Sequence, residues 1–325
     1  MSAHVGQNPR AMTSDEFWKP AVRDPRPRLS IIIPCYNART TIGDCLESLQ
    51  AQAADAPIEI IVVDSGTDGT ANMVEERFPF ARSYRFSERK FCGAARNWGV
   101  SRAQAEVVAF LDADCTASPD WVTRVLQAHE HSDLVVGGAV ASRAPAGLVS
   151  WAAFFCEFSQ WMPCRPAGAM ADVAGANMSY KRAVFERLGP FIEGTYCSDT
   201  QFHWRLAAQG HTPRFDPSII VTHRSITALG KFLQHEYAHG RDFGRVRAQH
   251  WHWPGWKRAL YVATGLAIPW KLLAQIAWRT RGSRTYLPRL LASLPLLIPG
   301  LHAWVLGECA GYMCSARSAP RGAGQ

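Results

Sequence analysis

Two aspartates separated by one residue, Asp112 and Asp114, follow the apolar run at 107–111. This run is rich in β-branched residues, which predicts a strand buried on both faces, as in a parallel sheet. Residues i and i+2 of an extended chain point the same way, so the two carboxylates repel unless a cation or a bound donor group compensates them. Magnesium and manganese favour oxygen ligands and often share them with phosphates. The pair therefore predicts a divalent cation, Mg2+ or Mn2+, that holds a diphosphate.

A purely structural role for this pair is open at this point. Asp114 or Thr116 could cap the helix that follows Pro119. The other strand ends help to decide, because open α/β sheets bind their ligands at the carboxyl ends of the strands.

Two earlier apolar runs also end in polar residues. The run at 29–34 breaks at Pro34 into Tyr36 and Asn37, and the run at 58–63 ends in Asp64 before a glycine-rich loop. Helical patterns between these runs predict βαβ units and a mostly parallel sheet, whose polar strand ends must share one edge. This convergence points to a nucleotide site. Neither G-x-G-x-x-G nor G-x-x-x-x-G-K-[ST] follows the first run, which disfavours dinucleotide and P-loop enzymes.

The composition limits the functional class. A chain of 325 residues suits one large domain with appendages, and its formal charge of +8 suits a phosphate ligand or an anionic membrane. Nucleic acid is disfavoured as a partner, because the basic residues concentrate near apolar runs of the tail. Nine cysteines without a C-x-x-C pair indicate reduced cytosolic thiols. The polar first residues predict a loose N-terminal arm at 1–27 without a signal peptide.

The second half of the chain carries three further features. Aromatic residues at helical spacing in 151–161 predict ordinary core or an interface. A helix is predicted from Lys181 to Leu188, and another opens at Ser198 and Asp199. Asp199 could be only a first-turn acid that favours the helix dipole.

Residues from about 29 to 225 resemble an inverting glycosyltransferase of family 2. Six segments carry this resemblance in the expected order, at 30–37, 61–70, 95–99, 110–114, 175–178 and 198–206. The resemblance implies the Rossmann-like GT-A fold, a mixed and mostly parallel sheet flanked by helices. It would occupy 28–255, with a nucleotide-binding half at 28–140 and an acceptor half at 141–255.

The resemblance also implies roles in binding the nucleotide. Pro34, Tyr36 and Asn37 would shape the floor of the nucleoside pocket. Asp64 would accept a hydrogen bond from the base, and Arg96 would position the diphosphate or the first aspartate of the pair.

Further implied roles concern the chemistry. Asp112 would contact the ribose or the water shell of the metal, and Asp114 would bind the metal. Asp199 would be the general base that takes the proton of the acceptor hydroxyl. One base without a second carboxylate on the opposite face implies direct displacement and inversion. Ser198 stands where the family often has a second acid, so substrate contacts of that acid are not implied here.

Three more residues are weaker candidates. His223 follows an apolar strand where some relatives place a metal ligand, although it could be an ordinary loop histidine. Arg205 and Arg241 could contact a phosphate or the acceptor, although a solvated helix explains Arg241 as well. The segment 235–239 matches the letters H-E-x-x-H, which we interpret as a coincidence because the surrounding chain resembles a transferase.

The last part of the chain, 256–325, is apolar and basic. The run at 287–313 is long enough to span a bilayer, whereas the run at 259–278 contains Pro269 and Lys271. If both runs spanned, the basic loop between them would violate the positive-inside rule. We therefore expect a monotopic, re-entrant or short hairpin anchor on the cytoplasmic face of the plasma membrane. A buried helical pair or a dimer interface is the alternative.

The family resemblance, together with the apolar tail, implies a hexosyltransferase of cell-envelope glycan synthesis. We expect it to move a sugar from a nucleotide diphosphate donor, a UDP-sugar, to a hydroxyl of a lipid or glycan. The alternative is a non-catalytic scaffold of the same fold that binds a nucleotide or glycan. Four aspartates in the roles above favour catalysis, because a scaffold needs neither a metal carboxylate nor a base.

Overall fold

The computed structural model describes residues 26–53, 56–143 and 147–314. The N-terminal arm predicted at 1–27 lies almost wholly outside these residues. The strands are β1 (Leu29–Cys35), β2 (Ile58–Asp64), β3 (Ala81–Arg85), β4 (Val107–Leu111), β5 (Cys115–Ala117), β6 (Val135–Ser142), β7 (Gly168–Ala169), β8 (Asn177–Lys181) and β9 (Arg214–His223). The helices are α1 (Ile42–Gln50), α2 (Thr70–Arg77), α3 (Cys92–Arg102), α4 (Trp121–Ala128), α5 (Leu148–Phe158), α6 (Ala183–Leu188), α7 (Ser198–Ala208), α8 (Leu229–His250), α9 (Gly255–Ala263), α10 (Ile268–Thr280) and α11 (Tyr286–Cys314).

The strands form one mixed sheet in the order β3-β2-β1-β4-β8-β6-β9-β5, with β7 beside β9. Strands β1, β2, β3, β4, β6 and β9 run in one direction, and β5, β7 and β8 run in the other. The predicted mixed, mostly parallel sheet flanked by helices is confirmed. Every residue of β1 is buried, as expected for a strand covered by helices on both faces.

Side-chain alternation along β1 separates two core layers. Ile31 and Ile33 pack with α1 on one face, whereas Ile32 packs with α3 on the other. Gly99 of α3 has no room for a side chain, because an added Cβ would overlap Ile32. The small residues of α3 therefore let this helix lie close to the sheet beside the candidate site.

Two local predictions from the sequence have different outcomes. The aromatic segment forms α5 and a following 3-10 turn (Ser159–Trp161), and Phe154 and Phe155 are fully buried in the core. The helix predicted from Lys181 is wrong at its start, since Lys181 is the last residue of β8 and α6 begins at Ala183. Lys181 pairs with Val107 in the sheet, and this pairing extends the strand.

The last helix, α11, packs lengthwise on α8 and also touches α5. Glycines make the close approach possible, because a Cβ added at Gly240 or Gly244 would overlap backbone of α11 and one at Gly307 or Gly311 would overlap backbone of α8. Pairs of glycines spaced by four residues allow helix backbones to approach closely. The C-terminal helix is thus packed onto the sheet domain.

By length and composition, α11 is the helix of the described chain that could cross a membrane, and α9 with α10 could form a second span bent by 45°. In α11, 39% of the most apolar stretch is buried inside the protein. Its other face is exposed at Leu291, Leu306 and Met313.

Candidate active site

The sheet register brings the predicted strand ends to one edge. Asp64 lies opposite Cys35 in the β1–β2 pair, and β4 runs parallel on the other side of β1. The aspartates that follow β4 therefore emerge beside the loop of Tyr36 and Asn37. This edge carries most of the residues that the sequence singled out.

Asp64 holds the loop after β2 in place. Its Oδ1 accepts the N–H of Gly66 at 2.9 Å, and its Oδ2 accepts the N–H of Ala71 at 3.0 Å. Burial raises the pKa of this carboxyl, and the two backbone N–H groups oppose that rise. The structure therefore assigns Asp64 a positioning role at the start of α2, and its contact with a base stays a prediction.

Asn37 closes the same loop from the other side. It adopts a positive φ of 53°, a conformation that asparagine tolerates better than most residues. Its Oδ1 accepts the N–H of Thr67 at 2.8 Å. A Cβ added at Gly66 would overlap the backbone of Asn37. The glycine-rich loop and the end of β1 thus pack backbone against backbone, which shapes a shallow floor.

An aromatic and cationic platform borders this floor, and sequence reasoning missed part of it. The Arg89 guanidinium lies 4.2 Å from the centre of the Tyr36 ring and 4.9 Å from that of Phe91. Tyr36 is 45% exposed. Flat aromatic and guanidinium groups stack well on bases. Pro34 lies in buried β1 below this floor.

Arg96 links the strand end to the second half of the domain. Its Nη2 donates to Asp112 Oδ1 at 3.3 Å and to the Gly175 carbonyl at 3.0 Å, and it is 3% exposed. Burial and Asp114 raise the pKa of Asp112, while Arg96 lowers it. The guanidinium therefore holds Asp112 beside the segment that precedes β8.

Asp199 reaches the same point from α7. A Cβ added at Gly175 would overlap Asp199 Oδ2 and lie 2.9 Å from Arg96 Nη2. The other oxygen, Oδ1, accepts the N–H of Thr200 at 3.0 Å, as an acid in a first helical turn does. The structure thus brings Asp112, Arg96 and Asp199 together around a glycine that leaves space for them.

A buried polar network that the sequence did not reveal supports α7. Asp172 Oδ1 contacts Nδ1 of His203, and Asp172 Oδ2 accepts the Thr200 hydroxyl at 3.0 Å. The Tyr180 hydroxyl lies 2.6 Å from His203 Nε2. These contacts hold the first turn of α7, and with it Asp199, against β8.

Asp114 and His223 form a second charged pair at this edge. His223 is the last residue of β9, and its Nε2 lies 3.4 Å from Asp114 Oδ2. Burial alone would lower the pKa of His223, but the charge and hydrogen bond of Asp114 raise it to about 9. Burial raises the pKa of Asp114, and His223 more than offsets this, so the pKa is lowered. At neutral pH this shift favours the protonated form of His223.

Three more ligand-type side chains lie next to this pair. Atoms of Glu157, His235 and Glu236 lie within 4.8 Å of one another. His235 Nε2 lies 3.6 Å from Glu157 Oε1. Burial and then Glu157 raise the pKa of Glu236 well above its usual range, and its Oε1 has no hydrogen-bond partner among the described residues. Two residues of the H-E-x-x-H segment on α8, His235 and Glu236, thus face Glu157 on α5.

The two predicted arginines lie elsewhere. The Nη1 of Arg205 donates to the Leu188 carbonyl at 2.7 Å, and its Nη2 donates to that of Pro190. Arg205 therefore closes the turn after α6, and its contact with a phosphate or the acceptor stays a prediction. Arg241 is exposed on α8, and its contact with a phosphate stays a prediction.

Comparisons with known proteins agree with this arrangement. The model of Glycosyl transferase family 2 matches residues 30–189. AglE, a glycosyltransferase of Haloferax volcanii, is 28% identical over 227 residues, which cover 66% of this chain and 72% of AglE. Several other curated glycosyltransferases match over only about a third of their own length.

Two solved structures share the fold. The mannosyltransferase PcManGT from Pyrobaculum calidifontis, in complex with GDP-Man and Mn2+, superposes with a TM-score of 0.59 at 22% identity, covering 90% of this chain and 86% of that one. TarS of S. aureus, in complex with UDP-GlcNAc, superposes with a TM-score of 0.50 at 16% identity, covering 86% of this chain and 90% of that one. At such identities the likeness concerns the fold.

Proposed function

We propose that this chain is an inverting enzyme of glycosyl transferase family 2 that uses a nucleotide diphosphate sugar and a divalent cation. The observation that carries the proposal is the group at one sheet edge: Asp112, held by Arg96, between the Asp114–His223 pair and Asp199. This group offers candidate side chains for holding the cation and for acting as the base.

The side chains at this edge fit a divalent cation. The 3.4 Å between His223 Nε2 and Asp114 Oδ2 is close to the ~3 Å between neighbouring ligand atoms around a small cation. The raised pKa of His223 reflects an excess of nearby carboxylates, which attract a cation in the same way as a proton. Asp114 and His223 would hold the cation, with Asp112 near its water shell. When bound, the cation would neutralise charge on the leaving diphosphate.

A second donor set lies close by. Glu157, His235 and Glu236 also offer ligand atoms at metal-binding spacing. The strongly raised pKa of Glu236 favours its neutral form, which weakens this set at neutral pH because a protonated carboxyl is a poor ligand. We therefore assign the cation to Asp114 and His223.

The nucleoside would lie on the loop floor beside β1 and β2. Tyr36 and Arg89 offer flat faces for the base, while Asp64 and Asn37 hold the loop that forms the floor. PcManGT binds GDP-Man and TarS binds UDP-GlcNAc, so the fold accommodates either base. We keep a UDP-sugar as the proposed donor.

Asp199 would act as the general base. The Thr200 N–H fixes one oxygen, and the other points to the space beside Gly175. A carboxylate in this position can take the proton of an incoming hydroxyl while the donor is held from the side of Asp112. A single base opposite the leaving group gives direct displacement and inversion.

The acceptor would be a lipid or glycan hydroxyl at a membrane surface. Trp256, Leu266 and Trp270 of the tail are 70%, 81% and 55% exposed. Exposed tryptophans among basic residues are typical of helices that lie in a membrane interface. We place the tail on the cytoplasmic face, where nucleotide sugars are available.

The deciding experiment is binding of a panel of nucleoside diphosphates with and without Mn2+. We expect one nucleotide to bind in a metal-dependent way to the wild type and to the control Glu47→Gln, whose carboxylate lies in an exposed ion pair with Arg77. Asp114→Ala should abolish this binding. Metal-independent binding that ignores Asp114 would favour the scaffold alternative.

A further inference from the structure

The tail contains a cationic depression away from the carboxylates. Two adjoining cavities of about 430 and 250 Å3 share Arg165, Trp278 and Arg279. Lys271 lines the larger cavity, and Arg281 and Ser283 line the smaller one. We call this pair of cavities the tail pocket.

Four cations line the tail pocket, and no carboxylate lines it within the described part of the chain. Arg279 donates to the Ser159 hydroxyl at 3.0 Å, and the buried Nε of Arg165 has no hydrogen-bond partner among the described residues. Burial, and then the charge of Arg165, lower the pKa of Arg279. Desolvated guanidinium groups that repel each other are stabilised by an anion between them. The tail pocket therefore has the electrostatics of an anion site.

The rim of the tail pocket is aromatic. Trp278 is 62% exposed, and the Arg281 guanidinium lies over its ring. Trp270 and Leu266 are also exposed on α10 and on the turn before it. Tryptophans prefer the headgroup level of a membrane, with their apolar part toward the acyl chains. A polar anion site beside such side chains fits an amphipathic ligand better than a free ion.

We propose that the tail pocket binds the phosphate of an anionic phospholipid headgroup. Arg165 and Arg279 would contact the phosphate oxygens, since guanidinium groups match this geometry with paired donors. Lys271 and Arg281 would add charge at the entrance. The inference rests on the proposed position of the tail at an anionic membrane and adds to it a specific, saturable site.

The tail pocket is linked to the candidate active site through α5. Ser159, which accepts the hydrogen bond from Arg279, directly follows Phe158, and the Phe158 ring centre lies 4.6 Å from that of His223. A lipid held by the tail pocket would therefore orient the catalytic edge relative to the membrane.

The test is calorimetric titration of the full-length protein with dihexanoyl phosphatidylglycerol below its micelle concentration. We expect saturable binding of one lipid, weakened by roughly tenfold or more in Arg165→Gln/Arg279→Gln because two charge-assisted contacts are lost. The control Lys257→Gln/Arg284→Gln removes the same charge from the tail outside the pocket and should bind as the wild type does. Equal affinity of the pocket variant and the wild type would overturn the proposal.

Further arms identify the ligand and exclude misfolding. Dihexanoyl phosphatidylcholine should bind much more weakly, and inorganic phosphate should not compete at similar concentration; if either matches the anionic lipid, the headgroup assignment is wrong. If Arg165→Gln/Arg279→Gln fails to fold, Lys271→Gln/Arg281→Gln takes its place. This second variant changes exposed side chains only and should also weaken binding of the lipid. Nucleotide binding is measured in the same samples. If the wild type binds nucleotide but no lipid, the lipid site is wrong and the proposed enzymatic function stands. If it binds lipid but no nucleotide, the proposed enzymatic function is wrong and the lipid site stands.

Discussion

At the scale of single residues, the proposed chemistry depends most on Asp199. Replacing it by Asn keeps an oxygen that can accept the Thr200 N–H, so the first turn of α7 should be preserved. The amide cannot take a proton, and loss of a general base typically costs ~100- to 10,000-fold in rate. We expect Asp199→Asn to lose donor turnover by such a factor while the donor Kd changes little. Steady-state turnover and calorimetric donor binding measure the two quantities.

The control for this substitution is Glu75→Gln, which removes a carboxylate from an exposed ion pair with Arg85. Exposed pairs contribute little to stability, so this variant should turn over donor as the wild type does. Near-normal turnover by Asp199→Asn would remove Asp199 from the mechanism.

The pKa of His223 gives a second prediction at this scale. In the metal-free protein His223 carries a proton up to about pH 9, and a metal ligand must be deprotonated. Affinity for Mg2+ should therefore rise about tenfold per pH unit between neutral pH and that pKa. Titration of Mg2+ binding at several pH values checks this, and an affinity that does not change with pH would contradict His223 as a ligand.

The same shift has a consequence for stability. The folded-state pKa of His223 lies above its ordinary value of 6.5, so its contribution is complete below about pH 6.5 and is lost as the pH rises through about 9. The metal-free protein should thus melt at a lower temperature on the alkaline side, and Mg2+ should restore it there. A melting temperature without this pH dependence would contradict the protonated His223.

Residues at strand ends were predictable from local sequence patterns, whereas on the helices Arg96 and Asp199 were expected only from the family resemblance, and Glu157 was not expected at all. Asp64, Asp112 and Asp114 interrupt apolar runs, and the polarity break marks the sheet edge in the sequence itself. Glu157 and His235 lie on α5 and α8, and only tertiary packing brings them beside Asp114. No local sequence pattern predicts this contact, because helical periodicity indicates which face of a helix is buried but not which element packs against that face.

At the scale of elements, the α8–α11 interface is the feature that sequence patterns left unassigned. Hydropathy alone describes α11 as a possible membrane span, yet glycines at both sides of the interface let it pack on α8. The polar cluster of Arg247, Glu308 and Tyr312 joins the same two helices, with Arg247 Nη1 3.1 Å from the Tyr312 hydroxyl. Such paired polar groups fit a protein interface better than a lipid-facing surface.

The close packing of α8 on α11 can be tested by adding one methyl group at a glycine of the interface. Gly307→Ala should destabilise the protein by about 1–3 kcal/mol, because its Cβ would overlap the backbone of Tyr237 and rigid helices must move apart. Chemical denaturation with circular dichroism measures the change in the free energy of unfolding.

The matched control is Gly43→Ala in α1, where an added Cβ meets nothing within 4 Å. Alanine is the better helix former, so this variant should be neutral or more stable by up to about 1 kcal/mol. If both substitutions had the same sign, the close packing of α8 on α11 would be wrong.

Asn177 shows where a motif residue has a structural task. It was noted in the segment 175–178, and its amide connects three elements: Oδ1 accepts Trp121 Nε1 at 2.9 Å, and Nδ2 donates to the carbonyls of Ala139 and Ile219 at 2.9 Å. A sequence pattern marks such a position as special without telling whether it binds substrate or joins strands. The geometry assigns it to the junction of β8, β6 and β9.

At the scale of the whole molecule, one side of the tail is buried in the core and other side chains of the tail are exposed. Leu290, Leu297 and Leu301 of α11 are buried against the sheet domain, so deleting everything after residue 256 would uncover apolar surface and cause aggregation. Deletion therefore cannot separate membrane attachment from folding. Substitution of the exposed side chains can.

We expect the full-length chain to float with vesicles that contain phosphatidylglycerol and to lose most of this binding in Trp256→Ser/Leu266→Ser/Trp270→Ser. These side chains are 70%, 81% and 55% exposed, so their loss should not unfold the protein. Burying each in a membrane interface contributes on the order of 1–2 kcal/mol, and three losses should lower the partition coefficient by about a hundredfold or more.

The control Phe80→Ser/Leu148→Ser changes exposed apolar residues of the sheet domain and should float as the wild type does. If the triple variant floats equally well, the membrane is contacted elsewhere, and the outer face of α11 at Leu291 and Leu306 becomes the surface to test.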